Sequence, residues 1–334
     1  MMTTASTHRL QAHWRLQTMT AGLRVVLADG DDPRVREAAP HLVEWGITPL
    51  LVTSDPVFSD GVQSLDPRDV APGITQVLEA LADTLAQKHD LSAAERSALL
   101  CDPLNIAVAA VKVGLVDGCV AGASRPSADV ARAALRLVGT APGVSTLSSS
   151  FIMLLPDGRA LAYGDCAVVP EPDAEQLAEI AIATAGTFSD VVGEEPVVAM
   201  LSFSTKGSAE HRSIEVVREA TRIVRKQCPE LAIDGELQFD AAFVPGVAAA
   251  KAPGSPAAGR ANVFIFPNLA AGNIAYKITE RLAGADAFGP LFQGLAGAVN
   301  DLSRGCSAED ILNISVITSV QAAQHVDHAT AGGA

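Results

Sequence analysis

Along most of the chain, short β-branched runs alternate with amphipathic stretches of helical period, and that rhythm constrains the fold more than any other feature: it is the pattern of βα units on a mostly parallel sheet. Leu23–Asp29 (LRVVLAD) reads as a first strand and Pro33–Trp45 as its helix, with Pro33 suited to the first helical position. Pro49–Thr53 follows as a strand, Val70–Lys88 and Ser92–Val113 as helical stretches, and Asp117–Gly122 as a strand ending in a Ser/Gly turn. Ser127–Val138 is expected to be a helix capped by Ser127. Beyond it, Phe151–Pro156 and Ala160–Val169 read as paired strands around Asp157-Gly158. The rest alternates again: helix Ala174–Ala185, strand Pro196–Ser204, helix His211–Gln227, strand Asn262–Pro267, helix Asn273–Leu282 and helix Ile311–Ala322, with a frayed last dozen residues.

A chain of 334 residues is long for one core and comfortable for two. Aromatic residues make up only 4%, so a core has to be built from Ala, Val, Leu and Ile, which suits buried parallel strands better than a base-stacking surface. Two α/β lobes facing a cleft, with a break near residue 148, is the natural reading, and ligands are then expected beyond the carboxyl ends of the strands.

Charge and cysteine usage narrow the partners. The formal net charge is -14, from 24 Lys+Arg against 38 Asp+Glu, which disfavours nucleic acid and anionic membrane. Small anionic substrates then need a few Arg gathered in one place. Cys101, Cys119, Cys166, Cys228 and Cys306 are scattered and odd in number, so neither a zinc site nor a disulfide framework is expected, and a reducing, cytoplasmic compartment is. The polar N-terminus lacks the apolar core of a signal peptide. Leu104–Ala123 carries Lys112 and Asp117 and breaks at Gly114 and Gly118, as a buried helix and strand would rather than a membrane span.

Three polar groups stand out. The densest is Asn300–Asp310 (NDLSRGCSAED), just before an apolar helix. An Arg beside Gly at a helix entrance offers a guanidinium and free N–H groups to an anion, a Ser hydroxyl can donate to a developing oxyanion, and a carboxylate can act as base. The same spacing also makes a capping arrangement, Ser307 with Asp310 three residues on, and spacing alone leaves both readings open. In Gly122–Arg132, Ser124 and Ser127 sit at a strand-to-helix turn suited to a phosphate, and Arg132 either reaches a second phosphate or lies on a solvated face. In Gly272–Arg281, Lys277 and Arg281 share a helix face, with Glu280 beside them as an ordinary salt-bridge partner. The signatures Gly-x-Ser-x-Gly and Gly-x4-Gly-Lys-Ser/Thr are absent, and Asp29–Pro33 stands where a dinucleotide-binding glycine motif would follow the first strand.

Several longer motifs occur in order: Ala141-Pro-Gly-Val-Ser145, Leu201–Ala209 (LSFSTKGSA), Ile233–Ala242 (IDGELQFDAA), Ala261–Pro267 (ANVFIFP), Ala271–Ile274 (AGNI) with Tyr276-Lys277, and Val299–Ser307 (VNDLSRGCS). In these the chain resembles the phosphate acetyl/butyryl transferase family, and within it the short form of phosphate acetyltransferase, over roughly Gly22 to Gln324. The resemblance implies two three-layer αβα domains with mostly parallel sheets and an inter-domain cleft, like the isocitrate dehydrogenase fold. It divides the chain into an N-terminal extension of residues 1–20 whose order is left open, a first domain of 21–148 plus about 301–330, and a second of 149–300. It implies a homodimer and transfer of an acetyl group between acetyl phosphate and coenzyme A in acetate metabolism, with coenzyme A as substrate and neither metal nor resident cofactor.

By position in the family's motifs, Asp310 corresponds to the carboxylate that takes the thiol proton, Ser303 to the hydroxyl that steadies the carbonyl oxygen, and Arg304 to the guanidinium on the phosphate. Arg281 corresponds to another substrate-binding Arg and Arg132 to one that contacts coenzyme A, with Ser124, Ser127, Asn273 and Lys277 as further substrate-binding positions. Where the family carries a second coenzyme A-binding Arg, this chain offers Lys88 or Arg96. A carboxylate raised in pKa by burial is expected to serve as the base, because few free thiols are ionised at neutral pH. The alternatives are an acyl-Cys306 intermediate, a butyryl or propionyl specificity, and a non-catalytic sensor of coenzyme A or acetyl phosphate; a sensor is expected to have lost one of Ser303, Arg304 and Asp310, and all three are present.

Overall fold

The computed structural model describes residues 5–19, 21–56, 59–88 and 90–331. The chain opens with helix α1 (Ala5–Thr18), then β1 (Arg24–Leu27) and α2 (Pro33–Glu44). Pro33 occupies the first helical turn of α2, and Asp32 caps it by accepting the Arg34 N–H. Strands β2 (Thr48–Val52) and β3 (Gln63–Leu65) precede α3 (Pro72–Ala86), α4 (Ala93–Leu100) and α5 (Pro103–Lys112). Strand β4 (Gly118–Ala121) and α6 (Ser127–Leu137) complete this first stretch.

The middle of the chain supplies β5 (Ser148–Leu154), β6 (Ala160–Gly164), α7 (Ala174–Val192), β7 (Val197–Leu201), α8 (Arg212–Gln227) and β8 (Ala232–Leu237). It continues with α9 (Phe239–Phe243), α10 (Pro245–Lys251), β9 (Val263–Ile265), α11 (Leu269–Ala283) and β10 (Asp286–Gln293). Strand β11 (Ala298–Asp301) and helix α12 (Ala308–Ala331) follow. Two compact units result, one of Trp14–Pro142 with Leu295–Ala334 and one of Met1–His13 with Gly143–Gly294.

In the first unit the sheet order is β11-β4-β1-β2-β3, and every pairing is parallel. All five strands therefore end on the same edge, where the turns after β1, β4 and β11 collect. Strands β1, β2, β4 and β11 are nearly all buried, as two-sided cover by helices requires. The second unit holds a six-stranded mixed sheet, β10-β5-β6-β9-β7-β8, in which β5 runs antiparallel to both β10 and β6.

Polar groups buried in this second sheet are fully partnered. Gln293 accepts from Ser148 and Thr184, each at 3.2 Å, and donates to Ser150 at 2.7 Å and Thr187 at 2.9 Å. At the ends of β7 and β8, the LSFSTKGSA and IDGELQFDAA motifs form an ion network. Asp234 is buried between Lys206 and Arg225, and Glu236 receives the Arg218 guanidinium at 2.9 and 3.0 Å, the Gly207 N–H at 2.8 Å and the Ser204 hydroxyl at 3.0 Å. Burial pushes the Glu236 pKa up, but Arg218 and the other donors outweigh it and hold the carboxyl down at about 2.

Several elements differ from the sequence reading for identifiable reasons. The extension of residues 1–20 contains α1, which buries Leu10 and Trp14; residues 1–4 and 20 lie outside the described residues. Helix α12 continues to Ala331 through the segment expected to fray, and residues 332–334 lie outside the described residues. Asp102 caps a new helix at Leu104 N–H, with Pro103 inside its first turn, and splits the Ser92–Val113 stretch into α4 and α5. Pro126, not Ser127, is the N-cap of α6, and Ser127 is its first residue with no side-chain cap bond.

Arg218 and Glu236 give a test of the ion network. Arg218→Met leaves a buried carboxylate without its main partner, so urea unfolding at pH 7 is expected to show a loss of about 3 kcal/mol. Because the folded pKa of Glu236 is lowered from 4.5 to about 2, its contribution is present above pH 4.5 and is lost as pH falls toward 2. The gap between the two proteins should therefore narrow in acid.

Candidate active site

At the edge where the parallel strands of the first unit end, two turns leave main-chain groups outside the ladder. The turn after β4 is taken at its amide side by Asp29, from the end of β1. Its Oδ2 accepts the Gly122 and Ala123 N–H groups at 2.9 and 3.1 Å, and its Oδ1 accepts the Ser124 hydroxyl. Gly122 has φ +109°, and a Cβ there would collide with the Asp301 carboxylate, so only glycine fits. The turn after β11 continues from the Leu302 N–H bond to the Ala121 carbonyl, 2.8 Å.

Ser303, Arg304 and Gly305 are exposed on that turn. The Ser303 Oγ accepts the Gly305 N–H at 3.3 Å, and its hydroxyl proton has no acceptor among the described residues. The Arg304 guanidinium makes no hydrogen bond or ion pair among the described residues. Both readings of the next four residues hold together: Asp310 Oδ2 accepts the Ser307 N–H and hydroxyl, each at 2.8 Å, while Ser307 Oγ accepts the Asp310 N–H at 3.1 Å. That capping box fixes Asp310 and leaves Oδ1 free of partners among the described residues. Asp310 is exposed, whereas the sequence reading expected a buried carboxylate as the base.

Burial is the dominant influence on two neighbours instead. It raises the Cys306 thiol pKa, with Asp310 and Asp32 adding to the effect and Arg34 opposing it, so Cys306 is held as a thiol. Asp301, at the end of β11, is fully buried and neither carboxylate oxygen has a hydrogen-bond partner among the described residues. Burial raises its pKa to about 6; Asp29 adds to the rise, and the Ser127 hydroxyl and Leu302 N–H pull the other way without reaching bonding geometry.

Sequence reasoning missed Asp29, Asp32 and Arg34. Arg34, in the first turn of α2, is paired with Asp32 at 2.7 Å and donates to the Arg304, Cys306 and Ala123 carbonyls at 2.9, 2.8 and 2.8 Å. The available signal was an Arg two residues after an Asp N-cap, directly beyond the first strand. Among the expected positions in this unit, Ser124 gives its proton to Asp29, and Ser127 is exposed at the uncapped start of α6. Arg132 pairs with Asp129 at 2.7 Å one turn earlier. Arg96 pairs with Asp83 at 2.7 Å, while Lys88 is exposed.

The remaining expected residues lie on α11 of the other unit. Asn273 donates to the Cys166 carbonyl at 3.0 Å and accepts from Lys277 at 2.5 Å, and Lys277 lies 4.6 Å from the Tyr276 ring centroid. Arg281 is highly exposed, with Glu280 at 3.4 Å.

A guanidinium and a hydroxyl on the turn after β11, with a fixed carboxylate in the first turn of α12, stand at the carboxyl edge of a parallel sheet in an α/β protein, an arrangement able to hold a small anion. The chain belongs to the phosphate acetyl/butaryl transferase family, whose profile matches residues 12–319. It is 43% identical over 302 residues to the phosphate acetyltransferase of Paracoccus denitrificans, covering 89% of this chain and 94% of that one. It is 44% identical over 317 residues to the phosphate acetyltransferase of Acetivibrio thermocellus, covering 89% and 93%. The solved phosphotransacetylase from Streptococcus pyogenes superposes with a TM-score of 0.87 at 40% identity, covering 95% of this chain and 99% of that one. The EutD phosphotransacetylase from Staphylococcus aureus gives a TM-score of 0.83 at 39% identity, covering 96% and 100%.

Asp301 generates a prediction of its own. Its folded pKa of about 6 lies above the ordinary 3.8, so its ionisation opposes folding, by about 3 kcal/mol once complete. That stability is fully present below pH 3.8 and is lost as pH rises through 6. Asp301→Asn cannot ionise, so its melting temperature at pH 7.5 should exceed that of the parent chain, with the difference vanishing below pH 4.

Proposed function

We propose that this chain transfers an acetyl group reversibly between acetyl phosphate and coenzyme A. The observation that carries the reading is the unpaired Arg304 guanidinium beside a Ser303 hydroxyl whose proton has no acceptor among the described residues, on the turn that carries the family motif. The relatives described above share the family and are named phosphate acetyltransferases and phosphotransacetylases.

In this reading Arg304 takes the phosphate of acetyl phosphate and compensates the charge that grows on it as it leaves. Ser303 donates to the carbonyl oxygen as the tetrahedral intermediate forms. Asp310, held through Oδ2, accepts the thiol proton on Oδ1, the sulfur bonds to the acetyl carbon, and the carbon–oxygen bond to phosphate breaks. No resident cofactor enters, and coenzyme A is a substrate. Arg132, Ser127 and the uncapped start of α6 suit the phosphates of coenzyme A, with Ser124 accepting rather than donating. Arg281, Lys277 and Asn273 on α11 stand at further substrate-binding positions of the family's motifs, and Lys88 is the better stand-in for the second coenzyme A-binding Arg because Arg96 is already paired. The raised pKa of buried Cys306 weighs against an acyl-cysteine route.

The protein works in this reading as a cytoplasmic homodimer. Among the described residues no helix is long and apolar enough to cross a membrane. On α11, Ile274, Ile278 and Leu282 are all exposed at four-residue spacing and form an apolar stripe that a second copy would cover. Light scattering on the eluting protein is expected to give twice the 34.4 kDa chain mass, and Ile278→Glu with Leu282→Glu to return it toward one chain.

Thioester absorbance with acetyl, propionyl and butyryl phosphate tests the activity, with acetyl phosphate expected to be the preferred donor; absence of turnover with all three sinks the reading. Ser303→Ala and Arg304→Ala should each lose on the order of 100-fold in kcat. Asp310→Asn should lose 10²-fold or more and Cys306→Ala should keep turnover. Unchanged activity in Asp310→Asn removes that residue as the base.

A further inference from the structure

A guanidinium has five N–H donors and no acceptor. In Arg34 all five are committed: Nε and one Nη2 donor to the two Asp32 oxygens at 3.0 and 2.7 Å, the other Nη2 donor to the Ala123 carbonyl, and the Nη1 donors to the Arg304 and Cys306 carbonyls. No donor is left for a ligand. What Arg34 grips is main chain, from both of the turns that carry the candidate substrate-facing side chains: Ser124 and Ser127 on one, Ser303 and Arg304 on the other.

We propose that Arg34 is a positioning residue of the reaction, a clamp that sets where the Ser303 hydroxyl and the Arg304 guanidinium stand by holding the carbonyls of Arg304 and Cys306 against those of Ala123 and the α2 cap. The inference rests on the roles given to Ser303 and Arg304 above. Asp32 anchors the clamp at its other end, since it accepts two Arg34 side-chain donors and also caps α2 through the Arg34 N–H. The geometry is planar and divergent, three carbonyls on one side and a carboxylate on the other. Lysine has a single ammonium with three donors at a point and cannot span it. A displacement of the turn by about 1 Å costs on the order of 100-fold in rate where reacting groups must be aligned.

Arg34→Ala and Arg34→Lys test the clamp, each first checked for native circular dichroism and melting. Two readouts are taken: steady-state kcat and KM for acetyl phosphate, and the rate of maleimide labelling at Cys306 mapped by mass spectrometry. Cys306 is buried beside the clamp, so its labelling reads the turn without reference to turnover. Both folded variants are expected to lose about 100-fold in kcat with a raised KM for acetyl phosphate, and Cys306 labelling is expected to rise at least tenfold. Kinetic constants within twofold of the parent, full activity in Arg34→Lys, or unchanged labelling would overturn the proposal. Should Arg34→Ala fail to fold, Asp32→Asn replaces it: asparagine still caps α2 but cannot accept the Nη2 donor. That variant should lose roughly tenfold in kcat with faster labelling, and parent-like values in both overturn the clamp. If the parent chain itself shows no turnover, the acetyl-transfer reading has failed, and the labelling rates alone decide whether Arg34 holds the turn.

Discussion

Parallel strands that end together leave a common difficulty: the turns beyond them carry N–H and C=O groups with no ladder to join. In the first unit two charged side chains from neighbouring positions on the chain answer it. Asp29 takes the amide side of the turn after β4, and Arg34 takes the carbonyl side of that turn and of the turn after β11. The carboxylate accepts and the guanidinium donates, so opposite charges share the backbone of one edge between them. Everything attributed to Ser303, Arg304 and Asp310 presupposes that this edge stays put.

The two units treat buried charge differently. In the second, Asp234 meets two cations and the Gly235 N–H, and Glu236 meets a guanidinium and two neutral donors, which is the condition under which a buried carboxylate stabilises a fold. Gln293 shows the same completeness with neutral partners. In the first unit Asp301 has no such partner among the described residues, and its carboxylate occupies the space a Cβ on Gly122 would need.

The parallel core was legible because β-branched runs such as Leu23–Asp29 and Pro196–Ser204 repeat at βα spacing. The motif Val299–Ser307 singled out the turn after β11, and Ser307–Asp310 announced its cap. Short strands without that signal escaped notice. Strand β8 carries Asp234, Gly235 and Glu236, a sequence that looks like a turn until Lys206, Arg218 and Arg225 neutralise it from elsewhere. Arg34 escaped for a related reason: its carbonyl partners lie 89 to 272 residues away, and the one local mark, Asp32 two residues earlier, does not announce them. The sequence also read Arg132 two ways, and in the structure it is exposed and pairs with Asp129.

Strand β11 and helix α12 come from the far end of the chain yet belong with β4 and α2. A ribosome making this protein therefore releases nearly all of the second unit's sheet as one uninterrupted stretch, while β4 waits with a bare edge until residues 298–301 emerge. The turn that carries Ser303 and Arg304 is synthesised only after all six strands of that sheet. A chain that stops before residue 298 therefore leaves β4 with one unpaired edge and lacks the turn that carries Ser303 and Arg304, however completely the second unit has folded.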